Sequence, residues 1–139
     1  MKSLMMSNRF WALLTMLVAY WMVLLYATHM PVEYVESVAV SDKFMHVAAY
    51  AVLSFLLAST LHSLNWRFWT IVPTVLLTTM IYGGIDETTQ PWFGRVADII
   101  DWSADQAGGV LGIILYLVAT ATVRSIRKLI MTQPAIEAS

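Results

Sequence analysis

The sequence predicts an all-α membrane protein: a bundle of four transmembrane helices with both termini in the cytoplasm. Three observations predict it, namely the composition, the length of the uncharged runs, and the placement of Lys and Arg around them. Of 139 residues, 59% are hydrophobic and 12% charged, about half the charge of an ordinary soluble domain. The charges gather between four uncharged runs, 10–32, 44–66, 68–85 and 106–123, of 23, 23, 18 and 18 residues. At ~1.5 Å rise per residue, ~20 apolar residues cross a ~30 Å hydrocarbon core.

The expected spans are 10–30, 44–62, 66–85 and 104–123, within a single membrane domain covering 1–139. No run alternates with period two, which argues against a membrane barrel. The first run is too long for the apolar core of a signal peptide and has no small-residue cleavage site after it, so it reads as a retained span. Its aromatics, Trp11, Tyr20, Trp21 and Tyr26, read as interfacial and lipid-facing. Ser41-Asp42 announces the second span, and Pro73 predicts a kink or a tolerated early proline in the third. In the fourth, Gly108 and Gly112 stand four apart, a small-residue face that admits a neighbouring helix.

Lys2, Arg9, Arg67, Arg124, Arg127 and Lys128 flank the spans on one side, with Glu137. The other side then holds Lys43 and Arg95 against Glu33, Glu36, Asp42, Asp86, Glu87, Asp98, Asp101 and Asp105. Basic residues mark the cytoplasmic side, so loops 29–42 and 86–102 are expected outside. An acidic extracytoplasmic loop or amphipathic segment should therefore join helices three and four, re-entering the membrane or lying on it.

Nearly every polar residue able to carry chemistry falls on that outer side. Asp42, His46 and Tyr50 recur at helical spacing at the head of span two, with Lys43 beside them. Asp42 and Lys43 have bland readings as a cap and a snorkelling anchor. His46 lies a turn inside the apolar run, where an ionisable group is expensive and faces protein or water. His29 and His62, at span ends, read as ordinary interface residues. From Arg95 onward, Asp98, Asp101, Asp105, Gly108 and Gly112 form one helical stripe. Three carboxylates a turn apart repel one another and call for a counter-charge: Arg95, Lys43, a shared proton or a bound cation. A solvated amphipathic segment would explain Arg95 and Asp98 but not Asp105, which abuts the fourth span.

These residues also resemble the VanZ-like family of bacterial membrane proteins. The resemblance rests on Asp42-Lys43-x-x-His46-x-x-x-Tyr50, Glu87-x-x-Gln90, Arg95-x-x-Asp98-x-x-Asp101 and Gly108-x-x-x-Gly112, and covers about 42–112. One position departs: the family pattern carries Asn where this chain has Asp105, replacing a hydrogen-bond donor by a carboxylate that only accepts. The resemblance implies a bacterial cytoplasmic (inner) membrane location and a link to resistance to the glycopeptide teicoplanin. It brings no established activity.

Three functions compete. One is an outward-facing site that binds or modifies a cell-envelope or lipid-linked molecule. His46, Glu87 or Asp98 would supply acid–base chemistry, and Asp42, Lys43, Tyr50, Gln90, Arg95, Asp101 and Asp105 would bind the ligand. Glu87, Asp98, Asp101 and Asp105 could hold a divalent cation through oxygen. Zinc is less expected with one histidine near, and the absence of Cys excludes thiolate ligands. The second is a proton- or cation-coupled transporter, against which the span interiors lack charge. The third is a structural subunit of a membrane complex. A thin four-helix bundle suits homo-oligomerisation under any of them. The only other expected partner is the bilayer, with no nucleic acid. No nucleophile elbow, HExxH or phosphate loop is present, so no motif decides whether the protein is an enzyme.

Overall fold

A computed structural model of the protein describes residues 7–30 and 42–132. The acidic stretch with Glu33 and Glu36, and Lys2 and Glu137, lie outside the described residues. Among the described residues four helices follow in order: α1 (Asn8–Thr28), α2 (Asp42–Ser63), α3 (Phe68–Thr89) and α4 (Ile99–Thr132), with a 3₁₀ turn, Gln90–Phe93, between the last two. All four are long and apolar enough to cross a membrane, and no strand occurs among the described residues. The chain is a multi-pass helical membrane protein.

Local chemistry sets the helix ends. The Ser7 hydroxyl caps α1 by accepting from Phe10 N–H at 3.4 Å. Asn65 turns the chain between α2 and α3 with φ 62°, a left-handed conformation that Asn tolerates. Pro73 sits inside α3, one turn past its start, and removes a single backbone bond. Pro91 opens the 3₁₀ turn and Gly94, at φ 78°, closes it. α4 has 34 residues and overruns its uncharged run at both ends. Asp101 and Asp105 are buried against the bundle and so extend the helix instead of ending it.

α2 is the central element, packing on all three other helices and most extensively on α4. Glycine makes that seam close. A Cβ on Gly108 would strike the Val47 carbonyl oxygen and lie 3.0 Å from Tyr50 Cβ. One on Gly112 would strike the Ala51 carbonyl oxygen and lie 2.7 Å from Ser54 Cβ. Gly109 faces Thr79 of α3 in the same way, its Cβ position 2.9 Å from the hydroxyl oxygen. α1 joins through Leu17 and Leu24, which pack with Tyr50, Leu53 and Leu56, and through Tyr20 Oη donating to the Ala49 carbonyl at 2.9 Å. The outer faces carry exposed Val23, Leu77, Ile114 and Val118, as lipid-facing surfaces should.

Candidate functional site at one end of the bundle

The heads of α2 and α4 and the tail of α3 meet at one end. Helical spacing turns Asp101 and Asp105 inward, with Asp101 5% exposed, while Ile99 and Ile100 are 71% and 59% exposed. The expected amphipathic segment is thus the opening turns of α4. Asp86 and Glu87, assigned from sequence to a loop, belong to the last turns of α3 and are also buried.

At the centre stand His46, Glu87 and Asp105. His46 Nδ1 and Asp105 Oδ1 are 2.8 Å apart, both residues buried. Glu87 Oε2 accepts from the Asp98 backbone N–H at 2.8 Å, pinning the segment after Gly94 onto α3. The other carboxylate oxygens, Glu87 Oε1 and Asp105 Oδ2, are buried without a hydrogen-bond donor among the described residues. Asp105 approaches the α3 backbone because position 83 is glycine: a Cβ there would lie 2.9 Å from Asp105 Oδ2.

An outer rim of ion pairs surrounds this centre. Lys43 Nζ binds Asp98 Oδ2 at 2.9 Å and also Asp101 Oδ1. Arg95 stands 3.7 Å from Asp42. Asp98 accepts from Ile100 N–H at 2.8 Å, and that bond, together with Lys43, holds its carboxyl below the usual carboxylate range. The counter-charges sought by the acidic stripe are therefore Lys43 for Asp98 and Asp101, while Asp105 turns to His46.

Two expected members sit apart from the centre. Tyr50 is fully buried in the apolar core beneath it, with no hydrogen-bond partner for its hydroxyl among the described residues. Gln90 reaches Asp86 instead, at 3.4 Å. Among the described residues, two groups have ligand atoms within 4.8 Å of one another, and both contain His46: one with Glu87 and Asp105, the other with Asp42 and Asp101.

Sequence reasoning passed over Asp86. It accepts from the Thr28 hydroxyl at 2.7 Å and lies 3.6 Å from His29 Nδ1, while His29 Nε2 and Thr89 Oγ1 are 2.9 Å apart. These bonds lock α1 onto α3. The available signal was the four-residue step from Asp86 to Gln90, which puts both on one face. Thr28→Val should leave the buried Asp86 carboxylate without its closest donor and destabilise the protein by about 1–3 kcal/mol. Unfolding in micelles would measure it, and a loss under about 0.5 kcal/mol would show that Gln90 and His29 suffice.

An open groove of about 300 Å³ adjoins the centre, lined by Gly84, Glu87, Ala97, Asp98, Ile99 and Trp102. Trp102 is held there by its indole N–H, which donates to the Met80 carbonyl at 3.2 Å. At the far end of the bundle His62 Nδ1 and Tyr116 Oη are 2.6 Å apart, beside a pocket lined by Arg9, Arg124 and Arg127. The basic and acidic flanks of the spans thus lie at the two ends of the bundle.

The model of the VanZ/LLP1 family matches residues 3–120, well over half the chain and all of the site just described. The chain belongs to the VanZ/LLP1 family. No curated protein and no solved structure matches it. In this VanZ/LLP1 protein the buried carboxylate of Asp105 contacts His46.

Proposed function

We propose that this VanZ/LLP1 protein binds or modifies a lipid-linked molecule of the cell envelope, at the His46 end of the bundle, on the outer face of the bacterial cytoplasmic membrane. One observation carries the reading: at Glu87 a buried polar cluster with two uncommitted carboxylate oxygens meets a groove walled by Gly84, Ala97, Ile99 and Trp102. A polar headgroup attached to a hydrocarbon chain is complementary to both surfaces at once. Lys43 and Arg95 would exchange their rim carboxylates for an anionic headgroup, and His46 or Glu87 would move a proton. The outward placement rests on the excess of basic residues at the other end.

The test is complementation of a deletion strain, scored under envelope stress that includes teicoplanin. Alanine variants at His46 and Glu87 should behave as the deletion while inserting normally, and those at Arg95 and Asp98 should be weakened. Wild-type behaviour of all four would overturn the reading. Because the chain has no cysteine, Val96→Cys, on an exposed residue, reports orientation cleanly. Labelling from the outside is expected; labelling only from the cytoplasm would invert the topology.

A further inference from the structure

We infer that His46, Glu87 and Asp105 bind one divalent transition-metal cation, Mn²⁺ or Zn²⁺. The inference rests on the reading of this end as the functional site and names what its centre holds.

Charge accounting leads to it. Two basic side chains lie at this end among the described residues, and both are committed: Lys43 to Asp98 and Asp101, Arg95 to Asp42. Ionised, Glu87 and Asp105, 5% and 0% exposed, would bring two negative charges into a region of low dielectric without a Lys or Arg partner. Burying charge in this way is costly unless it is paired or coordinates a metal. A protonated His46 would offset one of the two charges and would still leave Glu87 Oε1 and Asp105 Oδ2 without a donor. A divalent cation offsets both charges.

Geometry agrees. One ligand atom from each of the three residues falls within 4.8 Å of the others. A cation with bonds of ~2.1 Å holds adjacent ligands about 3 Å apart and opposite ones about 4.2 Å apart. The 2.8 Å between His46 Nδ1 and Asp105 Oδ1 suits adjacent ligands as well as it suits a hydrogen bond. The alternative group of Asp42, His46 and Asp101 is a poorer host, because Arg95 and Lys43 already compensate its carboxylates. The imidazole nitrogen suits Zn²⁺ and the two carboxylates suit Mn²⁺, whereas Mg²⁺ and Ca²⁺ take oxygen ligands alone. Three protein ligands leave positions for water or for an anionic group of a ligand. Gly83 is what lets Asp105 sit against α3, where Glu87 can share the ion.

The test uses the full-length protein in nanodiscs, stripped by chelator and titrated with MnCl₂, ZnCl₂ or MgCl₂ alone. One Mn²⁺ or Zn²⁺ per chain should bind by calorimetry and raise the unfolding temperature, with Mg²⁺ at least tenfold weaker. Glu87→Gln keeps an acceptor for Asp98 N–H, and Asp105→Asn keeps one for His46; each should weaken binding at least tenfold. His62→Ala, at the other end, should bind as wild type. Absence of binding at millimolar metal, or unchanged binding in both carboxamide variants, would overturn the inference. Should those variants fail to fold, pulsed EPR of wild type with Mn²⁺ decides alone: a directly bound imidazole nitrogen supports the site, and its absence refutes it. Failure of complementation by the site variants in a protein that binds no metal would leave the functional reading standing and remove the cation. Metal binding together with full complementation would do the reverse.

Discussion

Gly112→Ala will open the seam between α2 and α4 and destabilise the bundle by about 3 kcal/mol, the upper end of the usual range for overpacking. The new methyl would fall on the Ala51 carbonyl oxygen, with Ser54 Cβ 2.7 Å away. Neither is the tip of a flexible side chain, so relief requires one helix to move bodily. Gly108→Ala should do the same against the Val47 carbonyl oxygen. Gly84→Ala is the control: its nearest neighbour would be Trp102 Nε1 at 3.8 Å, an ordinary contact. It should be neutral, or stabilising by up to about 1 kcal/mol through helix propensity. Reversible unfolding by SDS titration would measure all three, and co-unfolding of Gly112→Ala with Gly84→Ala would show that the seam tolerates a methyl. Because α2 carries His46 and α4 carries Asp105, the Gly112 variant should also lose function.

His46 and Asp105 should show strong energetic coupling of a kind that separates function from stability. His46→Leu leaves a buried carboxylate without its partner and should destabilise by about 3 kcal/mol. Asp105→Val leaves the buried His46 Nδ1 without its partner and should destabilise by about 2 kcal/mol. The double variant removes both members of the pair and should be destabilised by less than the sum of the single losses, because neither is left behind without its partner. All three should fail to complement a deletion strain. Additive losses in the double variant would mean that the two residues do not act as a pair. Complementation by the double variant would assign them to packing alone.

Both results bear on what a sequence can reveal about such a site. The periodicity of Asp98, Asp101, Asp105, Gly108 and Gly112 announces one helical stripe. The structure splits that stripe by depth. Asp98 and Asp101 stay at the rim with Lys43, Asp105 sinks to His46, and the glycines meet the backbone of α2. Depth is a property of how α2, α3 and α4 converge, and a one-dimensional pattern does not contain it. Asp86 was legible in hindsight by its step to Gln90, but its main partner, Thr28, lies 58 positions away on another helix. Only packing brings them together.

The sequence by itself determines that this is a four-helix membrane protein with a basic end and an acidic end. Each of those properties is a sum over local terms: apolar length against bilayer thickness, and the charge that flanks each span. What the tertiary structure decides is which carboxylates find a cation and which do not. Lys43 and Arg95 reach Asp98, Asp101 and Asp42, while Glu87 and Asp105 converge on His46 with one oxygen each left over. That outcome depends on glycine contacts that set how closely the helices approach one another, and on which face of each helix turns inward. The candidate site is therefore a consequence of packing, written in residues whose types the sequence displays but whose company it does not.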